Sequence, residues 1–218
     1  MKKGTILISA GLLLVAAALF LTGYNLCDNY RAGKAASAAL EQLVPMIEDD
    51  PVPIQGRITI EIPESDRSFD EVPLDEIEYP DYILNPNMDM PVKNIDGADY
   101  IGVISISAID RELPVFSEWN YTNLKTAPCR YVGSAYLDNM VICAHDYGIH
   151  FGSLKYLSYG DTVTFIDMDG NVFNYKVIEI ETLDPYAVEK MTTGEWDLTL
   201  FTCTIGGATR VAVRCERM

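Results

Sequence analysis

Lys2 and Lys3 are followed by 19 residues, Gly4 to Thr22, that carry no charge. As an α-helix such a run is about 29 Å long, which matches the hydrocarbon thickness of a bilayer. A chain that begins this way must either keep that helix in lipid or lose it. The two lysines ahead of the run predict a cytoplasmic N-terminus, with everything after the span outside. A cleaved secretory signal is the competing reading, but its apolar stretch is usually shorter and a small-x-small cleavage site follows at once. Here Gly23, Tyr24, Asn25 and Leu26 follow, and the nearest candidate, Ala36-Ser37-Ala38, lies too far downstream. Residues 1–23 are therefore expected to be a cytoplasmic tip and an uncleaved single-pass anchor in the cell membrane. Residues 24–47, with an Ala-rich stretch over 28–44, predict a juxtamembrane helix that runs to Pro45.

Charge divides the remainder. The 218-residue chain has a net charge of −16, of which residues 1–47 hold +2, residues 48–99 hold −12 and residues 100–218 hold −6. Nucleic acid is excluded as a partner, because phosphate binding requires a basic surface. The middle stretch also holds Pro51, Pro53, Pro63, Pro73, Pro80, Pro86 and Pro91. Such a composition buries too little apolar surface to fold alone, and like charges extend it. It is read as a linker over residues 48–98, a tether that anionic headgroups repel and that holds the following domain off the membrane.

From residue 99 the pattern becomes β. Residues 100–109 alternate apolar and small polar side chains, as do 161–167, the period of half-buried strands. Residues 112–117 suit a short strand, with Pro114 arguing for an edge. Residues 139–145 form an apolar run that ends at His145. Asp167 to Asn171 supply a turn and 172–182 a long return strand. Asp184-Pro185 predicts a helix start running to Met191. Residues 197–203 and 210–217 are two more strands around Gly206-Gly207. Short strands at this spacing predict a mainly β domain over 99–218, a closed barrel or a sandwich.

Five cysteines and two histidines limit the chemistry. Cys143 and Cys215 lie within strands and read as packing residues; Cys129 reads as a loop residue after Pro128. Cys203 ends an apolar strand between two threonines, ahead of a glycine turn, where a scaffold presents a reactive group. A thiol with an ordinary pKa of about 8.5 needs a partner to act as a nucleophile at neutral pH. His145 also ends a strand and can take a proton and return it to a leaving amine. Arg210 opens the strand after Cys203 and can donate to an oxyanion. Three other readings stand beside this trio. A cysteine peptidase would use water as acceptor. A surface-binding module would use the three residues structurally. A zinc site would draw on Cys143, His145 and Cys203, with Cys215 as an optional fourth ligand. An odd number of cysteines cannot all pair, and disulfides such as Cys129–Cys143 or Cys129–Cys215 remain open.

The segment Thr199-Leu200-Phe201-Thr202-Cys203 resembles the TLxTC signature of sortases, the cysteine transpeptidases of Gram-positive cell surfaces. Arg210 is similar to the arginine that follows the sortase cysteine. Residues 142–154 resemble the histidine segment, with His145 in the catalytic place and Phe151-Gly152-Ser153-Leu154 after it; Ala144 stands where many sortases carry glycine. The resemblance covers the chain from about Tyr100 onward. It implies a closed β-barrel of about eight strands with short helices. It also implies cleavage of an LPxTG-like sorting signal through a thioester on Cys203, with His145 as general acid and Arg210 as donor to the substrate carbonyl or oxyanion. Thr202, Leu200 and Ala144, beside the trio, are the expected substrate-binding residues. The implied partners are surface proteins with a C-terminal sorting signal and an amine of a peptidoglycan precursor or a pilin. No metal or other cofactor is expected for catalysis, and the acids form no EF-hand pattern.

Overall fold

The computed structural model describes residues 2–48 and 79–218. Most of the expected linker, residues 49–78, lies outside the described residues. One helix, α1, runs from Lys2 to Glu48. Pro45 does not end it, because only three residues follow and the missing N–H interrupts only the last turn. Its first part is long and apolar enough to cross a membrane, with a mean hydropathy of 2.4 over its most apolar window. Leu7, Leu13 and Phe20 are more than two-thirds exposed there.

The second half of α1 behaves differently. Ala32, Ala36, Ala39 and Leu43 are buried. Their spacing of three and four residues sets them on one helix face, and three of them join the hydrophobic core of the β-domain. Small side chains on that face let the helix approach the barrel closely.

The β-domain contains β1 (Lys93–Ile95), β2 (Ala98–Ile106), β3 (Arg111–Phe116), β4 (Cys129–Val132), β5 (Met140–Ala144), β6 (Thr162–Asp167), β7 (Val172–Leu183), β8 (Leu198–Cys203) and β9 (Arg210–Arg217). The strand order is β1-β2-β3-β4-β5-β8-β9-β7-β6, and β6 returns to pair with β2. Strands β2 to β9 thus close an eight-stranded barrel, the fold expected. At the closing seam Gly102 lies opposite Asp167, and a Cβ there would sit 2.2 Å from the Ile166 carbonyl oxygen. Pro114 is tolerated because β3 meets β4 at a single pair, Phe116 with Cys129, so its far side is almost open.

Residues 79–98 correct the expected linker boundary. Tyr82 on the short helix α2 (Asp81–Leu84), Met90 and Ile95 are all buried in the core. Tyr82 stacks on Tyr136 with ring centroids 4.7 Å apart. These apolar side chains fold onto the barrel despite the acidic, proline-rich context. Cys129, expected in a loop, is buried in β4. The helix expected from Asp184 starts later, as α3 (Val188–Thr192). Asp184 instead accepts the Tyr186 backbone N–H, 2.8 Å, and caps a turn.

Candidate active site

Three strand termini meet at one end of the barrel. Strands β5 and β8 run parallel, with Ala144 opposite Thr202, so His145 and Cys203 are the next residues on neighbouring strands. Strands β8 and β9 are antiparallel, with Cys203 opposite Arg210. The Thr202 hydroxyl donates to the Ala144 carbonyl, 2.8 Å, one residue before the pair. That buried bond fixes how β5 and β8 sit against each other where the two reactive groups emerge.

The β8–β9 turn is closed by its own threonines. Thr204 N donates to Thr209 O, 3.0 Å, and Thr209 N donates to the Thr204 hydroxyl, 3.1 Å. Gly206 and Gly207 carry φ of +80° and +73°, a conformation that only glycine adopts without strain. Arg210 donates to the carbonyls of Gly207 and Thr209, at 3.1 and 3.0 Å. The guanidinium is thereby oriented on the turn that follows Cys203.

Cys203 is half-buried and a free thiol. It lines a cleft of about 330 Å³ with Asp146, Gly152, Lys155, Thr202, Thr204, Ile205 and Val211. Burial of the imidazole lowers the His145 pKa below the ordinary histidine value; Asp146 and Asp28 oppose that shift and Lys125 adds to it. At neutral pH the ring is chiefly unprotonated and can accept a proton. Burial pushes the Cys143 thiol up to about 12 and the Cys215 thiol likewise to about 12, so neither competes as a nucleophile.

A larger groove, about 490 Å³, runs along β4 between Trp119, Arg130 and Tyr131. It does not contain the thiol. Tyr131 meets Phe201 edge-on at 5.4 Å, and Phe201 stands two residues before Cys203 on β8. On the other flank, the segment carrying α3 is pinned to the barrel by Arg214. That buried guanidinium forms an ion pair with Glu181 at 2.7 Å and donates to Thr199 and to the Met191 carbonyl. Neither Tyr131 nor Arg214 carried a sequence signal, since each acts across strands far apart in the chain.

The expected substrate-binding residues separate. Thr202 lines the cleft. Leu200 has no exposed surface and belongs to the core, so it offers nothing to a substrate, and Ala144 is buried with its carbonyl already engaged. Cys215 is too far away to join the zinc site considered above. Cys215 lies opposite Leu198, five residues along β8 from Cys203, and so stands at the far end of the strand pair. Among the described residues no group of three or more histidine, cysteine or carboxylate side chains converges on a point. Cys129 lies directly opposite Cys143, and both are free thiols.

Residues 104–218 match the Sortase domain family model, and the chain belongs to the sortase family. Among solved structures it is similar to sortase C of Streptococcus pneumoniae. The two are 27% identical over 55% of this chain and 68% of that one, with a TM-score of 0.48. Sortase C of Clostridium perfringens SM101 is 24% identical over 65% and 76% of the two chains, TM-score 0.48. Sortase C1 of GBS Pilus Island 1 is 23% identical with a TM-score of 0.49; the match covers 55% of this chain and 64% of that one. A comparison with curated proteins finds no match.

Proposed function

We propose that this sortase is a membrane-anchored cysteine transpeptidase that cleaves an LPxTG-like sorting signal and transfers the acyl part to an amine. The observation that carries the reading is the register of β5, β8 and β9, which sets residue 144 against 202 and residue 203 against 210. Cys203 is the nucleophile. As its sulfur attacks the scissile carbonyl, the thiol proton passes to neutral His145. The oxyanion that forms accepts from Arg210, whose planar fork is already oriented by the turn. Collapse breaks the C–N bond, His145 returns its proton to the departing amine, and a thioester remains on Cys203. An incoming amine attacks that thioester, its proton goes to His145, and the C–S bond breaks to restore the thiol.

The N-terminal half of α1 is the anchor in this reading, with the lysines inside and the barrel outside. A substrate held in the same membrane then presents its motif close to the barrel, and confinement raises its local concentration. The acceptor is an amine of the cell wall or of a pilin.

The test is a peptide carrying the sorting motif, incubated with the full chain and an amine acceptor and read by mass spectrometry. The expected product is the amide, with a hydroxamate when hydroxylamine replaces the amine, and neither with Cys203→Ala. Hydrolysed peptide alone at saturating amine would mean a cysteine peptidase. Unchanged function of Cys203→Ala in cells would mean a binding module.

A further inference from the structure

His145 leaves the barrel on a short loop that is gripped from two sides. On the barrel side Arg111, at the start of β3, donates twice to the Gly148 carbonyl, at 3.1 and 2.6 Å. On the other side is α1. The Tyr147 hydroxyl donates to Asp28 Oδ2 at 3.3 Å, across 119 residues of sequence. Ile149 lies against Gly33, where a Cβ would come within 3.0 Å of Cδ1. The loop is folded back on itself, with the backbone N–H groups of His150 and Gly152 both donating to the Tyr147 carbonyl at 2.9 and 3.0 Å.

The Tyr147 ring fills the space beside both imidazoles. Its centroid is 4.9 Å from that of His145 at an interplanar angle of 34°, and 5.5 Å from that of His150 at 44°. His150 is fully buried and neither of its nitrogens has a hydrogen-bond partner among the described residues, so it offers the catalytic ring no polar tether. Among the described residues none hydrogen-bonds the His145 imidazole. A histidine that must collect and return a proton needs its ring held to within a few tenths of an ångström. The contact that restricts its rotation is the Tyr147 ring, and the bond that restricts Tyr147 comes from the helix.

We propose that Tyr147 is a positioning residue for His145, and that Asp28 on α1 holds Tyr147 in that role. The segment of helix just beyond the apolar run is then part of the catalytic unit. This rests on the transpeptidase reading above, and one arm of its test does not depend on activity.

The experiment uses the full chain in detergent or nanodiscs, with Tyr147→Ala, Tyr147→Phe, Asp28→Asn and the double variant Tyr147→Phe/Asp28→Asn. Tyr147→Ala is expected to lower kcat about tenfold or more with KM for the sorting peptide within about twofold, because proton transfer is misaligned while binding is not. Tyr147→Phe and Asp28→Asn keep the ring and are each expected to cost about threefold. The double variant should be no worse than Tyr147→Phe alone, since Asp28→Asn only weakens, by removing the charge on the acceptor, the bond that Tyr147→Phe already removes. The second arm is imidazole NMR, which two histidines make simple to assign. The groups facing His145 are Asp146, Asp28, Lys125 and neutral His150. Tyr147→Ala should move the His145 pKa up by exposing the ring; Asp28→Asn should move it down by removing an anion. A kcat within twofold of wild type for Tyr147→Ala, a loss confined to KM, or additive losses in the double variant would overturn the proposal. If Tyr147→Ala unfolds, non-additivity of the two milder variants and the Asp28→Asn titration decide. An inactive wild type would sink the transpeptidase reading, while the NMR arm would still test the contact.

Discussion

At the residue scale, His150 is the side chain whose setting most constrains the protein's response to pH. Burial drives its pKa down to about 4, with smaller contributions from His145 and Arg111 in the same direction and an opposing one from a backbone group of Thr126. That backbone group forms no hydrogen bond of good geometry with the ring. In the unfolded chain His150 titrates near the ordinary value of about 6.5. Between those values the unfolded state binds more protons than the folded one, so stability rises with pH across the window. The contribution is complete above about pH 6.5 and is lost as pH falls toward 4. His145, also lowered by burial, adds to it with the same sign. Replacing His150 with Phe keeps an aromatic ring against Tyr147 and removes the titration. The expected result is a smaller fall in Tm between pH 6.5 and 4.5 than in wild type, by scanning calorimetry on both proteins. Parallel curves would show that His150 is not buried as neutral imidazole.

At the element scale, what could be read from the sequence depended on strand length and on how far apart partners lie. Strand β7, at 12 residues, carries the period-2 alternation clearly, and β9 was placed at its observed limits. Strand β4 has four residues between Pro128 and Gly133, too few for a period to show. Strand β1 has three, again too few, and Asp96 and Gly97, with φ of 52° and 82°, make its tight hairpin turn to β2. The Cys203–Arg210 pairing was legible because one turn joins the two strands. Setting His145 beside Cys203 required the parallel β5–β8 ladder, whose partners are 58 residues apart and share no local pattern. Residue spacing alone does not encode that ladder; that both residues end strands allows the pairing, and the family resemblance points to it. Barrel closure is equally non-local and depends on Gly102. Gly102→Ala places a methyl group against the Phe165 ring and the Ile166 carbonyl, and that carbonyl is backbone that cannot yield without breaking the β2–β6 pairing. The expected cost is about 2–3 kcal/mol, at the upper end for overpacking, measured as a lower urea midpoint with m unchanged. An unchanged midpoint would mean that the seam between β2 and β6 is open in solution.

At the scale of the whole molecule, the membrane-anchored reading proposed above raises the question of what would set the distance between Cys203 and the bilayer. The acidity of residues 48–99 suggested a tether that stands the domain off. The packed face of Ala32, Ala36, Ala39 and Leu43 gives the barrel a second and direct attachment to α1. Asp28 lies six residues beyond Thr22, about 9 Å along the helix axis. With residues 4–22 in lipid, the His145 loop then sits within roughly two helical turns of the membrane surface, whatever course residues 49–78 take. Burying an arginine on that face without a partner would cost more than the contact contributes, so the double variant Ala36→Arg/Leu43→Arg should release the helix from the barrel. In proteoliposomes this variant should transfer a membrane-anchored substrate several-fold more slowly than wild type. It should also become sensitive to protease within residues 28–47. Replacing the acids between residues 49 and 78 with Asn, Gln or Ser should leave the same rate within about twofold, since the packed face of α1, not charge repulsion, then sets the distance to the membrane. The opposite pattern, with the arginine variant unaffected and the neutralised one slow, would return the role of spacer to the acidic segment.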